Sequence, residues 1–221
     1  MIPIRDTIPS RRTAWIVRLL IAANVAAFVL EWRQGQAAEA LLYRFGVVPS
    51  AWTGDPWAWP AQLLTLLTSQ FLHGGLLHLA SNMLYLWIFG DNVEDRLGHG
   101  RFLLFYLGCG IAAAATQVAV DPHSSAPMVG ASGAIAGVLG AYFLLFPHAR
   151  IVTLMPWILT WQFTELPAFA FLGFWFVLQW AQGMTTIGRL APGGVAWWAH
   201  IGGFTAGLIG VWWLRPRRAY F

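Results

Sequence analysis

Six stretches of the chain are almost unbroken runs of apolar residues, at roughly 14–31, 74–90, 102–120, 131–147, 166–182 and 195–214. Only the first holds charges, Arg18 near its start, where a long side chain reaches the interface, and Glu31 at its end. An α-helix needs about 20 apolar residues to cross a hydrocarbon core of about 30 Å, so the pattern predicts six transmembrane helices. The expected fold is therefore all-α, a polytopic membrane bundle with residues 1–221 forming a single six-span domain. No stretch with a small-residue cleavage site precedes the first run, which therefore reads as a retained span. An even number of spans places both termini on one side.

Two connections are not ordinary loops. The long one after the first span, 32–73, contains WTGDPWAWPAQLLTLLTSQFL, rich in Trp and Leu and interrupted by Pro56 and Pro60. Its Trp52, Trp57 and Trp59 suit the aromatic belt, so a half-submerged interfacial hairpin is expected. The 148–165 connection, HARIVTLMPWILTWQFTE, reads as a similar interfacial segment on the opposite side. No internal repeat, low-complexity tract or domain boundary interrupts the chain.

Composition supports the membrane reading: 58% of the 221 residues are hydrophobic and 10% charged, against about 25% charged in ordinary soluble domains. That balance excludes a soluble globule, a disordered chain, a nucleic-acid domain and a disulfide-stapled secreted module. All 13 basic residues are Arg. Without Lys there is no Walker-type phosphate lysine, no Schiff-base lysine and no Ser-Lys dyad. The pI near 9.8 reflects span orientation rather than a nucleic-acid partner. Ten Arg (5, 11, 12, 18, 96, 101, 150, 215, 217 and 218) fall on the face of the termini, and Arg33, Arg44 and Arg189 on the other. The positive-inside rule then puts both termini in the cytoplasm. The lone Cys109 lies in an apolar run and reads as a small core residue.

The informative residues are the polar ones inside the spans, because burying such groups in lipid is costly unless they face a partner or a cavity. His78 and Asn82, in HGGLLHLASNML, are four apart and share one helical face, with His73 just before that helix. Ser132 opens the fourth span in GASGAIAGVLGAY, and His200 opens the sixth in WWAHIGGFTAGL. Each has a plain reading. A serine in a span bonds back to a carbonyl one turn earlier, and histidines tie helices together. Glycine favours the other reading. Gly133/Gly137 and Gly203/Gly207 are both GxxxG pairs, which let two backbones approach closely. If the fourth and sixth spans pack on those faces, Ser132 and His200 meet at one depth. A serine beside a neutral imidazole is a nucleophile with its general base. All nine carboxylates fall in loops or at span ends, none within the sixth span, so a dyad rather than a triad is expected. Ser132 also starts its helix, where backbone N–H groups and the helix dipole favour an oxyanion, with His78 and Asn82 as further donors. No zinc motif H-E-x-x-H and no pair of intramembrane Asp residues is present, so neither metal nor cofactor is expected. A G-x-S-x-G elbow also fails, because Ala134 stands at the second glycine.

Three motifs occur in order: F-L-H-x-x-x-x-H-L-x-x-N from Phe71 to Asn82, G-A-S-G from Gly130 to Gly133, and A-H-x-x-G-x-x-x-G from Ala199 to Gly207. In this combination, over about residues 14 to 214, the chain resembles the rhomboid family of intramembrane serine proteases, of the bacterial type with a six-span core in the plasma membrane. The resemblance implies Ser132 as nucleophile, His200 as general base and acid, and His78, Asn82 and the Ser132 N–H as oxyanion site. It implies supporting roles for His73 and for Gly130, Gly133, Gly203 and Gly207, and a Glu94 that fixes the cytoplasmic connection after the second span. The substrates implied are transmembrane helices of other membrane proteins, unwound near the outer face of the lipid bilayer and cut after a small side chain. Two features depart from the family. Leu64 and Thr65 replace a frequent Trp-Arg pair, and Ala136 stands where some members stack a Tyr on the histidine. The competing expectation is an inactive rhomboid-like module that binds transmembrane clients. A small transporter is disfavoured, since no inverted repeat is visible.

Overall fold

All six apolar runs fold as helices in the computed structural model, which describes residues 1–53, 59–157, 160–186 and 194–214. The elements in order are β1 (Ile2–Asp6), α1 (Trp15–Arg33), α2 (Ala38–Phe45), α3 (Trp59–Thr68), α4 (Leu76–Leu97), α5 (His99–Val120), α6 (Ser132–Leu145), β2 (Arg150–Trp157), β3 (Thr160–Pro167), α7 (Ala168–Thr186) and α8 (Trp197–Leu214). The expected spans thus correspond to α1, α4, α5, α6, α7 and α8. By length and hydropathy α1 and α5 each suffice to cross a membrane. α3 with the turn after it forms an apolar pair with α4 bent by 81°. Trp57, Pro56, Arg189, Arg215, Arg217 and Arg218 lie outside the described residues.

α6 is the hub. Every residue from Gly133 to Tyr142 is buried, between α5 on one side and α8 on another. Small residues make this possible. A Cβ on Gly203 would fall on the Gly133 carbonyl, one on Gly207 on the Gly137 carbonyl, and one on Gly140 on the Phe204 carbonyl. The two GxxxG faces therefore meet each other as expected. On its α5 side, Gly133 packs on Ala113 and Gly137 on Cys109, which is buried and free.

The 32–73 connection is a pair of short helices, α2 and α3, with Leu63, Leu64 and Trp59 exposed. Its apolar outer surface is what an interfacial hairpin presents. The 148–165 connection departs from the expected all-α fold: β2 pairs antiparallel with β3, and β1 from the N-terminal part of the chain joins the other edge of β2. The all-α bundle therefore carries a three-stranded sheet of order β1-β2-β3. The reason is local. The β-branched run in ARIVTLMPW alternates, so Ile151 and Thr153 are buried and their neighbours are not. Trp161 and Phe163 of β3 share one exposed face.

Carboxylates bind this end of the bundle together. α1 has no side-chain cap of its own; instead Glu94 of α4 accepts the Ile16 N–H at 3.0 Å and the Val17 N–H at 2.8 Å. Its Oε1 also accepts from His99 Nδ1 at 2.5 Å, which ties down the α4–α5 connection. Asp6 accepts from the Tyr142 hydroxyl at 2.5 Å and from Asn92 Nδ2 at 3.1 Å, linking β1 to the far ends of α6 and α4. Ser10 donates to Asp91.

Candidate active site

At the opposite end three helix starts converge. Ser132 is the first residue of α6, so its own N–H is among those with no intrahelical acceptor. The chain enters α6 through Gly130, whose φ of +124° only glycine adopts readily. A Cβ there would also lie 2.8 Å from the His78 ring. The Gly130 N–H is held by the Ser69 carbonyl at 2.9 Å, which fixes the approach.

His200 lies in the first turn of α8. Because α8 sits directly against α6 on glycine, His200 Nε2 lies 2.8 Å from Ser132 Oγ. The neutral tautomer with its lone pair on Nε2 accepts the hydroxyl proton, leaving the other ring proton on Nδ1. Nδ1 lies 2.7 Å from Gln179 Oε1 on α7. Trp175 packs beside the ring, with centroids 5.9 Å apart and planes at 34°, and Trp197 meets it edge-on at 6.2 Å. These α7 and α8 side chains occupy the role left open by Ala136. Gln179, Trp175 and Trp197 were missed by sequence reasoning, which looked for a charged third member in the same span as His200. The available signal was an uncharged polar residue inside the apolar run FWFVLQWAQG.

His78 and Asn82, one turn apart on α4, both face Gly130: the missing Cβ of that glycine lies 2.8 Å from His78 Nε2 and 3.6 Å from Asn82 Nδ2. Asn82 Nδ2 donates to His73 Nε2 at 3.0 Å, so the His73 tautomer carries its proton on Nδ1, directed at the Phe71 carbonyl at 3.3 Å. His73 thus orients Asn82 rather than entering the cavity. Its backbone N–H is held in turn by Oε2 of the buried Glu31, near the end of α1, at 3.1 Å. An amide side chain has two N–H groups, so Asn82 keeps a second donor. Of the supporting glycines, Gly130 shapes the turn while Gly133, Gly203 and Gly207 set the α6–α8 spacing that brings serine and histidine together.

A cavity of about 1090 Å³ reaches Ser132, His78, Asn82 and His200 from the side of the 125–130 loop and the start of α8. It extends past Ala113 to Gln70 and Gly110. It is thus large enough to receive an unwound piece of chain.

Fold and site together define an integral membrane helical bundle with a serine and a histidine in contact at the wall of its cavity. The Rhomboid domain profile matches residues 60–217. The rhomboid protease GluP of Bacillus subtilis is 40% identical over 124 residues, 56% of this chain and 23% of its own length. The mitochondrial rhomboid protein 1 of Saccharomyces cerevisiae is 31% identical over 156 residues, covering 68% of this chain and 42% of that protein. The mitochondrial presenilin-associated rhomboid-like protein of Bos taurus is 30% identical over 204 residues, 88% of this chain and 46% of that one. The chain spans less than half the length of each of these relatives. It belongs to the rhomboid family.

Proposed function

We propose that the chain is an intramembrane serine endopeptidase that cleaves transmembrane helices of membrane proteins near the outer membrane face. The observation that carries this reading is the 2.8 Å contact between Ser132 Oγ and His200 Nε2 inside the cavity. Ser132 attacks the scissile carbonyl as His200 Nε2 takes its proton. The tetrahedral oxyanion is met by the Ser132 N–H, His78 and the spare Asn82 donor. His200 then passes the proton to the leaving amine, and a water molecule, deprotonated by His200, releases the acyl group as a carboxylic acid.

We place residues 1–221 as one six-span domain in a bacterial plasma membrane, with both termini cytoplasmic. The Arg distribution supports this orientation, and the likeness to a Bacillus subtilis protein supports a bacterial setting. α6 has 14 residues, a rise of about 21 Å against a core of about 30 Å. With its Tyr142 end at the cytoplasmic face, Ser132 sits below the outer surface, and the cavity above it supplies water. A substrate helix enters only where its outer turns unwind, because each amide exposed in lipid first loses its internal bond.

Reconstitution with a fluorogenic transmembrane substrate tests the reading. Wild type cleaves, while Ser132→Ala and His200→Ala do not. Equal cleavage by wild type and Ser132→Ala would contradict the dyad, and a wild type inert to substrate and to a serine-directed phosphonate would make the chain a client-binding module.

A further inference from the structure

We infer that Gln179 is the third member of the site, a positioning residue that sets the tautomer and orientation of His200. The inference rests on the protease reading above and goes beyond the dyad it uses.

Gln179 is 7% exposed on a helix whose Trp175 and Phe176 pack on Phe204 of α8. An amide buried there must be satisfied at both ends. Its Nε2 donates to the Trp175 carbonyl at 3.3 Å, one turn back. That bond decides the amide's orientation, because a flipped side chain would set Oε1 against the Trp175 carbonyl and an N–H against His200. With the orientation fixed, Oε1 is an acceptor 2.7 Å from Nδ1. It selects the imidazole with its proton on Nδ1, leaving the Nε2 lone pair aimed at Ser132 Oγ. In the other tautomer Nε2 would carry a proton and could not accept one from serine.

The bond also strengthens during the reaction. When His200 gains the serine proton, Nδ1–H becomes part of an imidazolium, and its bond to Oε1 becomes charge-assisted. A carboxylate would do this more strongly, but its charge would favour the imidazolium already in the resting enzyme and take the base away. Among the described residues the groups facing the imidazole are Ser132 from α6, Gln179 and Trp175 from α7, Trp197 from α8 and, across the cavity, His78 from α4. None of these is a carboxylate. A neutral amide is thus the acceptor that orients the imidazole and leaves it free as a base, and the two indoles restrict the ring's remaining rotation.

The test uses the full chain in proteoliposomes, with Gln179→Met, which keeps length but loses the acceptor, and Gln179→Glu, which keeps it and adds charge. Gln179→Met is expected to lose about 10- to 100-fold in kcat with KM within about twofold, and to slow fluorophosphonate labelling of Ser132 in parallel. Gln179→Glu is expected to retain more activity than Gln179→Met and to move the acid limb of the kcat–pH profile up by about one unit, because a carboxylate favours the imidazolium. A folded Gln179→Met with kcat within about twofold of wild type overturns the inference. If that variant fails to fold, the Glu variant decides: a shifted acid limb supports the role and an unmoved one overturns it. Cleavage that survives Ser132→Ala overturns the protease reading itself. A Ser132-dependent wild type with an indifferent Gln179→Met overturns only the positioning role.

Discussion

The two ends of the bundle solve the same problem with different chemistry. At the sheet end, α1, α4, α6 and β1 are joined by carboxylates: Glu94 caps α1 and holds His99, Asp6 bonds Tyr142 and Asn92, and Asp91 takes Ser10. At the cavity end, the polar contacts around Ser132 are neutral: a hydroxyl, imidazoles and the amides of Asn82 and Gln179. The difference follows from function. A carboxylate such as Glu94 gathers several donors from separate elements and so anchors them, whereas a serine–histidine pair that is to exchange a proton needs neighbours whose charge does not fix its protonation. Glu31 is the exception that marks the boundary, since it holds the His73 backbone N–H behind the site.

If this division is correct, substitutions at the two ends separate activity from stability. The largest effect is expected from His200→Ala: a loss of at least about a thousandfold in kcat/KM with little change in Tm, measured on one purified sample. Next comes the joint between the ends. In Gly207→Ala the new Cβ would strike the Gly137 carbonyl, and backbone does not yield as a side chain does. A loss of about 3 kcal/mol in stability is expected, together with slower cleavage as Ser132 and His200 part; a normal Tm in thermal denaturation would refute the close α6–α8 contact. Glu94→Ala removes the acceptor for two helix N–H groups and His99, and should cost about 1–3 kcal/mol while leaving kcat per folded molecule unchanged. A matching fall in kcat would show that the ends are not separable.

The smallest effect is a pH dependence. Burial, with the nearby Asp91 charge, pushes the Asp6 carboxyl up from an ordinary 3.8 to about 6, against the opposing bond from Tyr142. The folded state therefore holds this proton more tightly than the unfolded chain, so the contribution of Asp6 to stability is full below about pH 4 and is lost as pH rises through about 6. Asp6→Asn should flatten that decline, raising Tm above pH 6 and leaving it unchanged near pH 4. Identical Tm–pH curves for the two proteins would show that Asp6 does not titrate in this window.

Much of this was legible in the sequence because membrane helices announce themselves by length and hydropathy, and because glycine at i and i+4 has few uses in lipid other than close packing. The meeting of Ser132 with His200 followed from those two signals. The sheet was not legible: ARIVTLMPW is apolar enough to resemble an interfacial segment, and its partner β1 lies some 145 residues earlier in the chain. Glu94 was expected to hold the α4–α5 connection, but its cap on α1 is a long-range contact that no local pattern encodes. Gln179 was hidden for a different reason. In a span with few polar residues, an amide looks like a packing choice until the helix beside it is known.

The central claim is that Ser132 is activated by His200 within a neutral site, and the most direct measurement is fluorophosphonate labelling read by intact mass and peptide mapping. One adduct per chain is predicted, on Ser132, lost in Ser132→Ala and at least about a hundredfold slower in His200→Ala. An adduct on another serine, or a labelling rate indifferent to His200, would contradict it.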